Sequence, residues 1–314
     1  MIPVEWVVEA RNRIAGLVTH TLITYDKNLN LFFKWENHQV SGSFKIRGAL
    51  NRVLSLPQAD LDRGLVTCSA GNHGQGVAIA AKKTGTSCIV FTADHAAPMK
   101  VEAMRRLGAE VRLVKGGYVK AEATAIDYAR ESDKRFISPY NDPMVIAGQG
   151  TIGVEIQQDF GMINEIPTLV IPIGGGGLVS GVGTFFSDKR PRPKIIGVQS
   201  EASPFAHQLF HTGSQEGISE SDSIAEGLAG EIDHSSITIP MMMNYLDDMI
   251  LVSEEEIREA IHYAWVDLHE IIEGSGAVGL AAQLAGKIQS APALTIITGG
   301  NIQPELFNAI IRRD

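Results

Sequence analysis

Hydrophobic runs of strand length alternate with helical patterns along almost the whole chain. Between the runs, apolar residues recur with the spacing of one helix face. Strands that alternate with helices in this way are typical of parallel sheets covered by helices, so the pattern predicts an α/β protein. The runs that we predict to be strands are 64–70, 86–93, 109–114, 135–140, 168–173, 194–200, 249–253 and 294–300.

Start and stop signals mark two of the helices. Pro98 suits a first helical turn, and the pattern that follows it ends at Gly108. Ser253 and Glu256 have the spacing of a capping box, and the helix that they open is predicted to reach Leu268.

Composition narrows the choice of partner. The chain of 314 residues has 44% hydrophobic and 20% charged residues and a formal net charge of −9. It shows no basic stripe for nucleic acid and no polybasic patch or membrane-length apolar run, so we expect a small-molecule partner, no nucleic acid and no membrane. The start of the chain lacks the pattern of a signal peptide, and Cys68 and Cys88 suit small core residues in a reducing compartment. The expected location is cytoplasmic.

Four consecutive glycines, Gly174–Gly177, follow an apolar strand and precede a helical pattern. Such a turn can direct several backbone N–H groups at one anion, and the helix dipole adds to the attraction. We interpret it as a phosphate site. The alternative is a tight turn with close helix–strand packing, which one or two glycines would satisfy. The lysine of a Walker loop is missing, and Ser180 stands where a dinucleotide motif needs its third glycine.

A second glycine-rich turn, CSAGNHGQG, also joins a strand to a helix. Ser69 and Asn72 can offer a hydroxyl and an amide there, and free N–H groups of the helix start can receive a carboxylate. The alternative is that Asn72 caps the helix while His73 and Gln75 lie on the surface. A third such turn follows a strand that ends at Thr298. Ligands of open α/β sheets bind beyond the carboxyl ends of strands, so the three turns would converge on one site.

A single lysine, Lys45, lies in the stretch SGSFKIRGAL at the start of a helical pattern. Most lysines are solvated surface groups. Here apolar neighbours and the helix N-terminus both disfavour the charged form, so we predict a lowered pKa. A neutral amine condenses with an aldehyde to form a Schiff base. The sequence therefore indicates a phosphorylated cofactor held by this lysine.

Five motifs occur in a characteristic order: SFKIRGA, SAGNHGQGVA, VIAGQGTIGVEI, GGGGLVSG and TGGN. In them the chain resembles, over nearly its whole length, the serine/threonine dehydratases, which are pyridoxal-phosphate enzymes with the tryptophan synthase β fold (fold type II). The resemblance implies two three-layer αβα domains with mainly parallel sheets. The large cofactor-binding domain would comprise residues 1–57 and 141–314, and the small domain, residues 58–140, would close over the substrate. A C-terminal regulatory domain is not expected.

The resemblance also implies a role for each motif. Lys45 would carry pyridoxal 5'-phosphate covalently and act as general base, the four glycines would bind its phosphate, Asn72 its phenolic oxygen, and Thr298 would face its ring nitrogen. Phe44 and Gly227 would lie on either face of the ring. The predicted cofactor-binding residues are Phe44, Lys45, Asn72, Gly174, Gly175, Gly176, Gly177, Gly227 and Thr298. The predicted substrate-binding residues are Ser69, Ala70, Gly71, Asn72, His73 and Asn141.

The activity that the resemblance implies is β-elimination from L-threonine or L-serine, which yields 2-oxobutyrate or pyruvate and ammonia, in a catabolic homodimer or homotetramer. Serine racemases of this group carry a serine where this chain has Ala70, so racemisation is the disfavoured alternative. Gln199 and Phe205 stand where many racemases bind a divalent cation, so no metal is expected. A binding protein without catalysis and a dehydratase of another β-hydroxy amino acid, such as 3-hydroxyaspartate, remain open alternatives.

Overall fold

The computed structural model describes residues 1–161, 166–290 and 292–312. The helices are α1 (Val4–Arg13), α2 (Lys45–Leu54), α3 (Gln58–Arg63), α4 (Asn72–Thr84), α5 (Pro98–Arg106), α6 (Tyr118–Glu131), α7 (Pro143–Phe160), α8 (Gly177–Phe186), α9 (Phe205–Thr212), α10 (Thr238–Tyr245), α11 (Glu254–Val266), α12 (Gly274–Leu284) and α13 (Pro304–Arg312). The strands are β1 (Ile23–Asp26), β2 (Leu31–Trp35), β3 (Leu65–Cys68), β4 (Cys88–Ala93), β5 (Glu110–Val114), β6 (Arg135–Phe136), β7 (Thr168–Pro172), β8 (Ile195–Ser200), β9 (Asp248–Val252) and β10 (Ala293–Ile297). Within these ranges no helix is both long enough and apolar enough to cross a bilayer.

The strands form two sheets. The larger has six strands in the order β1-β2-β10-β7-β8-β9, and the smaller has four in the order β5-β4-β3-β6. All neighbouring strands are parallel except β1 and β2, which pair antiparallel. The predicted α/β class with mainly parallel sheets is confirmed.

Each sheet lies between two layers of helices. In β10 of the larger sheet, Leu294 and Ile296 pack with α1, α7, α8 and α10, whereas Ala293 and Ile297 pack with α11, α12 and α13. This alternation is the two-residue period of a strand that is buried on both faces. In the smaller sheet the same period places one face against α2, α4 and α5 and the other against α6. The prediction of two three-layer αβα arrangements is therefore confirmed.

The two cysteines lie on opposite faces of the smaller sheet. Cys88 belongs to the cluster with α2 and α4, and Cys68 belongs to the cluster with α6. Both thiols are free and buried, and burial raises the pKa of each to about 12. They are small core residues, as predicted.

Three local predictions need correction. Strands β1 and β2 were not among the predicted runs, because β1 is a short, half-exposed edge strand and β2 contains a lysine. The run 135–140 forms a strand only at Arg135–Phe136, because Pro139 has no N–H to continue the ladder. The capping box of Ser253 is present, but α11 ends at Val266 rather than Leu268. His269, just beyond it, has a φ of +57°, which a helix does not accommodate.

A buried network of charges holds the start of α2. Arg47 Nε lies 2.7 Å from Glu36 Oε2, and Arg47 Nη1 lies 2.7 Å from Glu155 Oε1. Lys34 Nζ lies 2.9 Å from the other oxygen of Glu155. Burial alone would disfavour charge on Arg47, but Glu36 and Glu155 outweigh it and raise the Arg47 pKa. The network joins β2, α2 and α7 at a point two residues beyond Lys45.

Replacing Glu155 with glutamine should destabilise the protein markedly. The substitution leaves Arg47 and Lys34 buried with one carboxylate fewer, and removal of one partner from a buried charge pair costs about 3 kcal/mol. Urea denaturation of the two proteins measures the change in the free energy of unfolding. Asp127→Asn, which removes a charge from an exposed pair with Arg130, is the matched control and should change stability by less than about 1 kcal/mol. Equal effects of the two substitutions would contradict the importance of the network.

Candidate active site

The segment before Lys45 is bound to the end of β10. Phe44 N donates a hydrogen bond to Thr298 O at 3.0 Å, and Ser43 forms an isolated bridge with Gly299. Lys45 is the first residue of α2. The helix that carries the lysine thus begins beyond the carboxyl end of a central strand, where ligands of such sheets bind.

Lys45 lies in a partly buried position between polar and aromatic neighbours. Its Nζ donates to Pro139 O at 3.0 Å and lies 5.2 Å from the centroid of the Phe44 ring. Burial lowers the Lys45 pKa to about 8, although the negative charge of Glu273 opposes the shift. The prediction of a lowered pKa is therefore confirmed, and burial is the main cause.

Asn72 connects the turn before α4 to the larger sheet. Its Nδ2 donates to Glu273 Oε1 at 2.6 Å, and its Oδ1 accepts from Asn301 Nδ2 at 2.7 Å. Asn72 is the first helical residue, and the N-cap position belongs to Gly71, without a side-chain cap. The alternative in which Asn72 caps the helix is therefore wrong. Ser69 Oγ accepts from Gly71 N at 3.1 Å and shapes the turn.

His73 is buried rather than exposed, so the alternative that placed it on the surface is also wrong. Its Nε2 lies 3.2 Å from Ile137 O, and its Nδ1 has no partner among the described residues. Burial, together with the charge of Lys45, lowers the His73 pKa to about 3. The ring is therefore neutral at physiological pH and adds no positive charge to the turn. Ala70, the most exposed residue of this turn, has no side-chain proton to exchange.

The four-glycine turn packs tightly against its neighbours and keeps its amides free. A Cβ on Gly175 would lie 2.4 Å from the Tyr140 ring, and one on Gly176 would lie 2.4 Å from Met242 Sδ. Gly176 also has a φ of +80°. No described residue accepts a hydrogen bond from the N–H groups of Gly174–Gly177. The close packing that we considered as an alternative is present, but free donors at the start of α8 also suit a phosphate.

Two further predicted residues meet at Ser275. Gly227 N donates to Ser275 Oγ at 2.9 Å, and Thr298 Oγ1 donates to Ser275 O at 3.3 Å. The turn Glu226–Leu228, the start of α12 and the end of β10 are thereby joined. The Thr298 side chain is buried at this junction.

Asn141 lies beside the four-glycine turn. Its Oδ1 accepts from Ile237 N at 3.1 Å, and its Nδ2 has no acceptor among the described residues. Thr238, which follows Ile237 and is the first residue of α10, donates from Oγ1 to Gly175 O at 2.7 Å. The side-chain amide of Asn141 is thus held next to the predicted phosphate site with a free donor.

Sequence reasoning missed several residues of this site. Glu273 bonds to Asn72, and burial raises its pKa while Lys100 and Asn72 lower it. Lys100 Nζ, on α5, lies 2.5 Å from Glu226 Oε2 in the turn Glu226–Leu228. Asn301 is the last residue of the TGGN motif, and Glu273 precedes the glycine-rich start of α12. Their positions in or next to glycine-rich motifs could therefore have indicated that they belong to the site. Nothing local distinguishes Lys100 from other helical lysines.

Gln199, at the position where a racemase would bind a cation, is occupied by protein contacts. Its Oε1 accepts from His207 N at 3.0 Å, and its Nε2 donates to Leu228 O at 3.4 Å. Across residues 1–161, 166–290 and 292–312, no three histidine, cysteine or acidic side chains are grouped as metal ligands.

Comparison with known proteins identifies the family. Residues 16–299 match the family described as pyridoxal-phosphate dependent enzymes. This chain belongs to that family. The predicted family, the predicted fold and the predicted cofactor, pyridoxal 5'-phosphate, are thereby confirmed.

Curated relatives and solved structures resemble this pyridoxal-phosphate enzyme closely. It is 36% identical to the L-threonine ammonia-lyase of Geobacter sulfurreducens over 100% of this chain and 79% of that protein. It is also 36% identical to the catabolic L-threonine dehydratase TdcB of Escherichia coli, over 96% of this chain and 93% of that one. The structure of maize serine racemase matches with a TM-score of 0.91 at 29% identity, covering 99% of this chain and 98% of that one. Threonine deaminase isoform 2 from Solanum lycopersicum matches with a TM-score of 0.88 at 30% identity, covering 98% and 92%.

The geometry of this pyridoxal-phosphate enzyme fits its cofactor. The free N–H groups of Gly174–Gly177 can take the phosphate, and Lys45 offers an amine that readily loses its proton. Lys45 donates to Pro139 O, and the next residue, Tyr140, packs against Gly175, so the lysine and the four-glycine turn are held near each other.

Loading of the cofactor-free protein with pyridoxal 5'-phosphate should follow the pKa of Lys45. Only the neutral amine attacks an aldehyde, so the rate should rise about fivefold between pH 7 and pH 8 and level off above pH 9. Absorbance of the covalently bound cofactor measures the rate. Nα-acetyl-lysine is the control, because its amine, with an ordinary pKa, should continue to gain about tenfold per pH unit over that range. A protein rate that rises in parallel with that of Nα-acetyl-lysine would contradict the lowered pKa.

Proposed function

We propose that this protein is a pyridoxal-phosphate dependent ammonia-lyase that converts L-threonine, L-serine or both into a 2-oxo acid and ammonia. The observation that carries the proposal is the position of Lys45, an amine with a pKa of about 8 that lies within electrostatic range of Glu273, the residue that also binds Asn72 in the turn before α4. The names and 36% identity of the threonine ammonia-lyase and dehydratase relatives support the same activity.

The proposed roles follow the positions of the side chains. Lys45 would hold the cofactor covalently, Gly174–Gly177 its phosphate and Asn72 its phenolic oxygen. Phe44 and Gly227 would lie on the two faces of its ring. Thr298 would meet the ring nitrogen with a neutral hydroxyl, which, unlike a carboxylate, does not hold a proton there.

The substrate would bind between the two sheets. We propose residues 58–140 as a small domain that closes over the substrate and residues 1–57 and 141–314 as the large domain. The free N–H groups at the start of α4, together with Ser69–Asn72, would hold the α-carboxylate, with the helix dipole in support. Asn141, whose Nδ2 is free, would contact the β-hydroxyl, and His73 would contribute its backbone N–H.

Once the amino group of the substrate has displaced Lys45 from the cofactor, the freed Nζ of Lys45 would remove the proton from Cα of the bound amino acid. The cofactor, when bound, supplies an electron sink for the pair left on Cα. The Cβ–O bond would then break, and the hydroxyl would leave as water with a proton that balances the one that Lys45 took from Cα. The product enamine takes up a proton at Cβ and is hydrolysed by water, which releases ammonia and the 2-oxo acid.

The charges at the cleft support substrates with neutral side chains. Lys100 already pairs with Glu226 at 2.5 Å, and the carboxyl group of Glu273 lies within electrostatic range of the same ammonium group. A second substrate carboxylate, as in 3-hydroxyaspartate, would compete with these groups. This arrangement supports threonine and serine over a dicarboxylic substrate.

We further propose a cytoplasmic homodimer or homotetramer. Two free, buried thiols support a reducing compartment. Sedimentation velocity of the purified protein measures the oligomeric state.

Replacing Lys45 with alanine should abolish the lyase reaction. Without its amine the protein has neither the covalent anchor nor the base, so 2-oxobutyrate formation from L-threonine should fall about a thousandfold or more. A coupled assay of the 2-oxo acid measures the rate, and the absorbance of covalently bound cofactor should disappear in parallel. The exposed Lys83 provides the control variant, Lys83→Ala, which should keep both signals. Full activity of the Lys45 variant would refute the proposal.

Racemisation of serine is the second candidate, because the maize serine racemase structure is so similar. The side chain of Ala70 cannot transfer a proton, so L-serine should yield pyruvate with little D-serine. The variant Ala70→Ser should form more D-serine than the wild-type protein, whereas Ala70→Gly, which adds no hydroxyl, should not. Chiral chromatography of the products measures the ratio. A wild-type protein that forms D-serine as fast as pyruvate would favour the racemase.

A further inference from the structure

One ion pair connects α5, which packs on the smaller sheet, to the turn Glu226–Leu228 beside the larger sheet. Among the described residues, the pair of Lys100 and Glu226 is the single salt bridge that joins the segment 58–140 to the rest of the chain. Lys100 lies on α5 of the smaller sheet, and Glu226 lies in the turn beside the larger sheet. The Lys100 side chain is only 15% exposed, which is unusual for a lysine.

Lys100 also packs against the turn that would hold the substrate carboxylate. A Cβ on Gly71 would lie 3.5 Å from Lys100 Cδ and 3.9 Å from Lys100 Cε, so the methylene groups pass beside this turn. The ammonium group is close enough to Glu273 to affect its titration, and Glu273 in turn binds Asn72. Movement of the Lys100 side chain would therefore disturb the turn at two points.

Glu226 is held from the opposite side. Its neighbour Gly227 donates to Ser275 Oγ at 2.9 Å, and Gln303 Nε2 donates to Glu226 Oε1 at 3.4 Å. The carboxylate is thus attached to the turn that carries the predicted ring contact. The ion pair spans the two elements between which the substrate must lie.

We propose that Lys100 is a positioning residue for the amino-acid substrate, and that its ion pair with Glu226 holds the turn 69–72 closed over the bound cofactor. This inference rests on the proposed function. Lys100 acts through the turn and through Glu226, so its loss weakens substrate binding more than it slows the chemical step.

Two charge-neutral variants test the proposal in the holoenzyme. Lys100→Met keeps the methylene contact with Gly71 but removes the ammonium group, and Glu226→Gln keeps the shape but removes the charge. Each should raise the KM for L-threonine about fivefold while kcat changes less, since a partly exposed ion pair contributes up to about that factor. The KM of the double variant should be no higher than that of either single variant, because each single substitution already removes the same interaction. Lys83→Met and Glu131→Gln, at exposed positions of helices in the same segment, are the matched controls.

Hydrogen–deuterium exchange supplies a measurement that does not depend on turnover. Backbone amides of residues 69–75 and 226–230 should exchange faster in both single variants than in the wild-type holoenzyme and the controls. The proposal would be overturned if either single variant had the same KM and the same exchange rates as the controls. It would also be overturned if the fold-increase in KM of the double variant equalled the product of the two single increases. If the wild-type protein forms no 2-oxo acid, the proposed function fails, and the exchange rates alone decide the role of Lys100.

Discussion

The arrangement of the site depends on the burial of Arg47 between two carboxylates. A guanidinium group without access to water must be paired with a negative charge. Glu36, which directly follows β2, and Glu155, on α7, supply that charge. Because Arg47 stands one helical half-turn beyond Lys45, this pairing fixes the start of α2. The apolar face of the same helix packs against the smaller sheet. One helix therefore sets the lysine relative to both sheets.

Close backbone approach is the second constraint. The four-glycine turn leaves no room for side chains between itself, Tyr140 and Met242. The resulting contact brings the start of α8 next to the segment whose carbonyl, Pro139 O, accepts the Lys45 hydrogen bond. Tyr140, which packs against the turn, directly follows Pro139, which binds the lysine, so the two proposed cofactor anchors are held close to each other.

Polar side chains also link the segment 58–140 to the rest of the chain in two places. Asn72 makes partly buried, short hydrogen bonds to Glu273 and Asn301. Lys100 and Glu226 form a charged pair that is more exposed to solvent. Water competes more strongly with this pair than with the two hydrogen bonds of Asn72. The more exposed pair is therefore the weaker of the two links, which agrees with the role proposed for Lys100.

Much of the fold and of the candidate site could be predicted from the local sequence pattern. Strand and helix periods predicted the α/β layers, and the glycine-rich turns together with Lys45 predicted the cofactor chemistry, because backbone freedom and amine acidity depend on nearby residues. The tertiary structure decided which distant groups meet. Asn72 and Glu273 are 201 residues apart in sequence, and their contact depends on strand order and on the packing of α2 between the sheets. A local period carries no information about either, so the partners of Asn72 and the role of Lys100 emerged only from the folded chain.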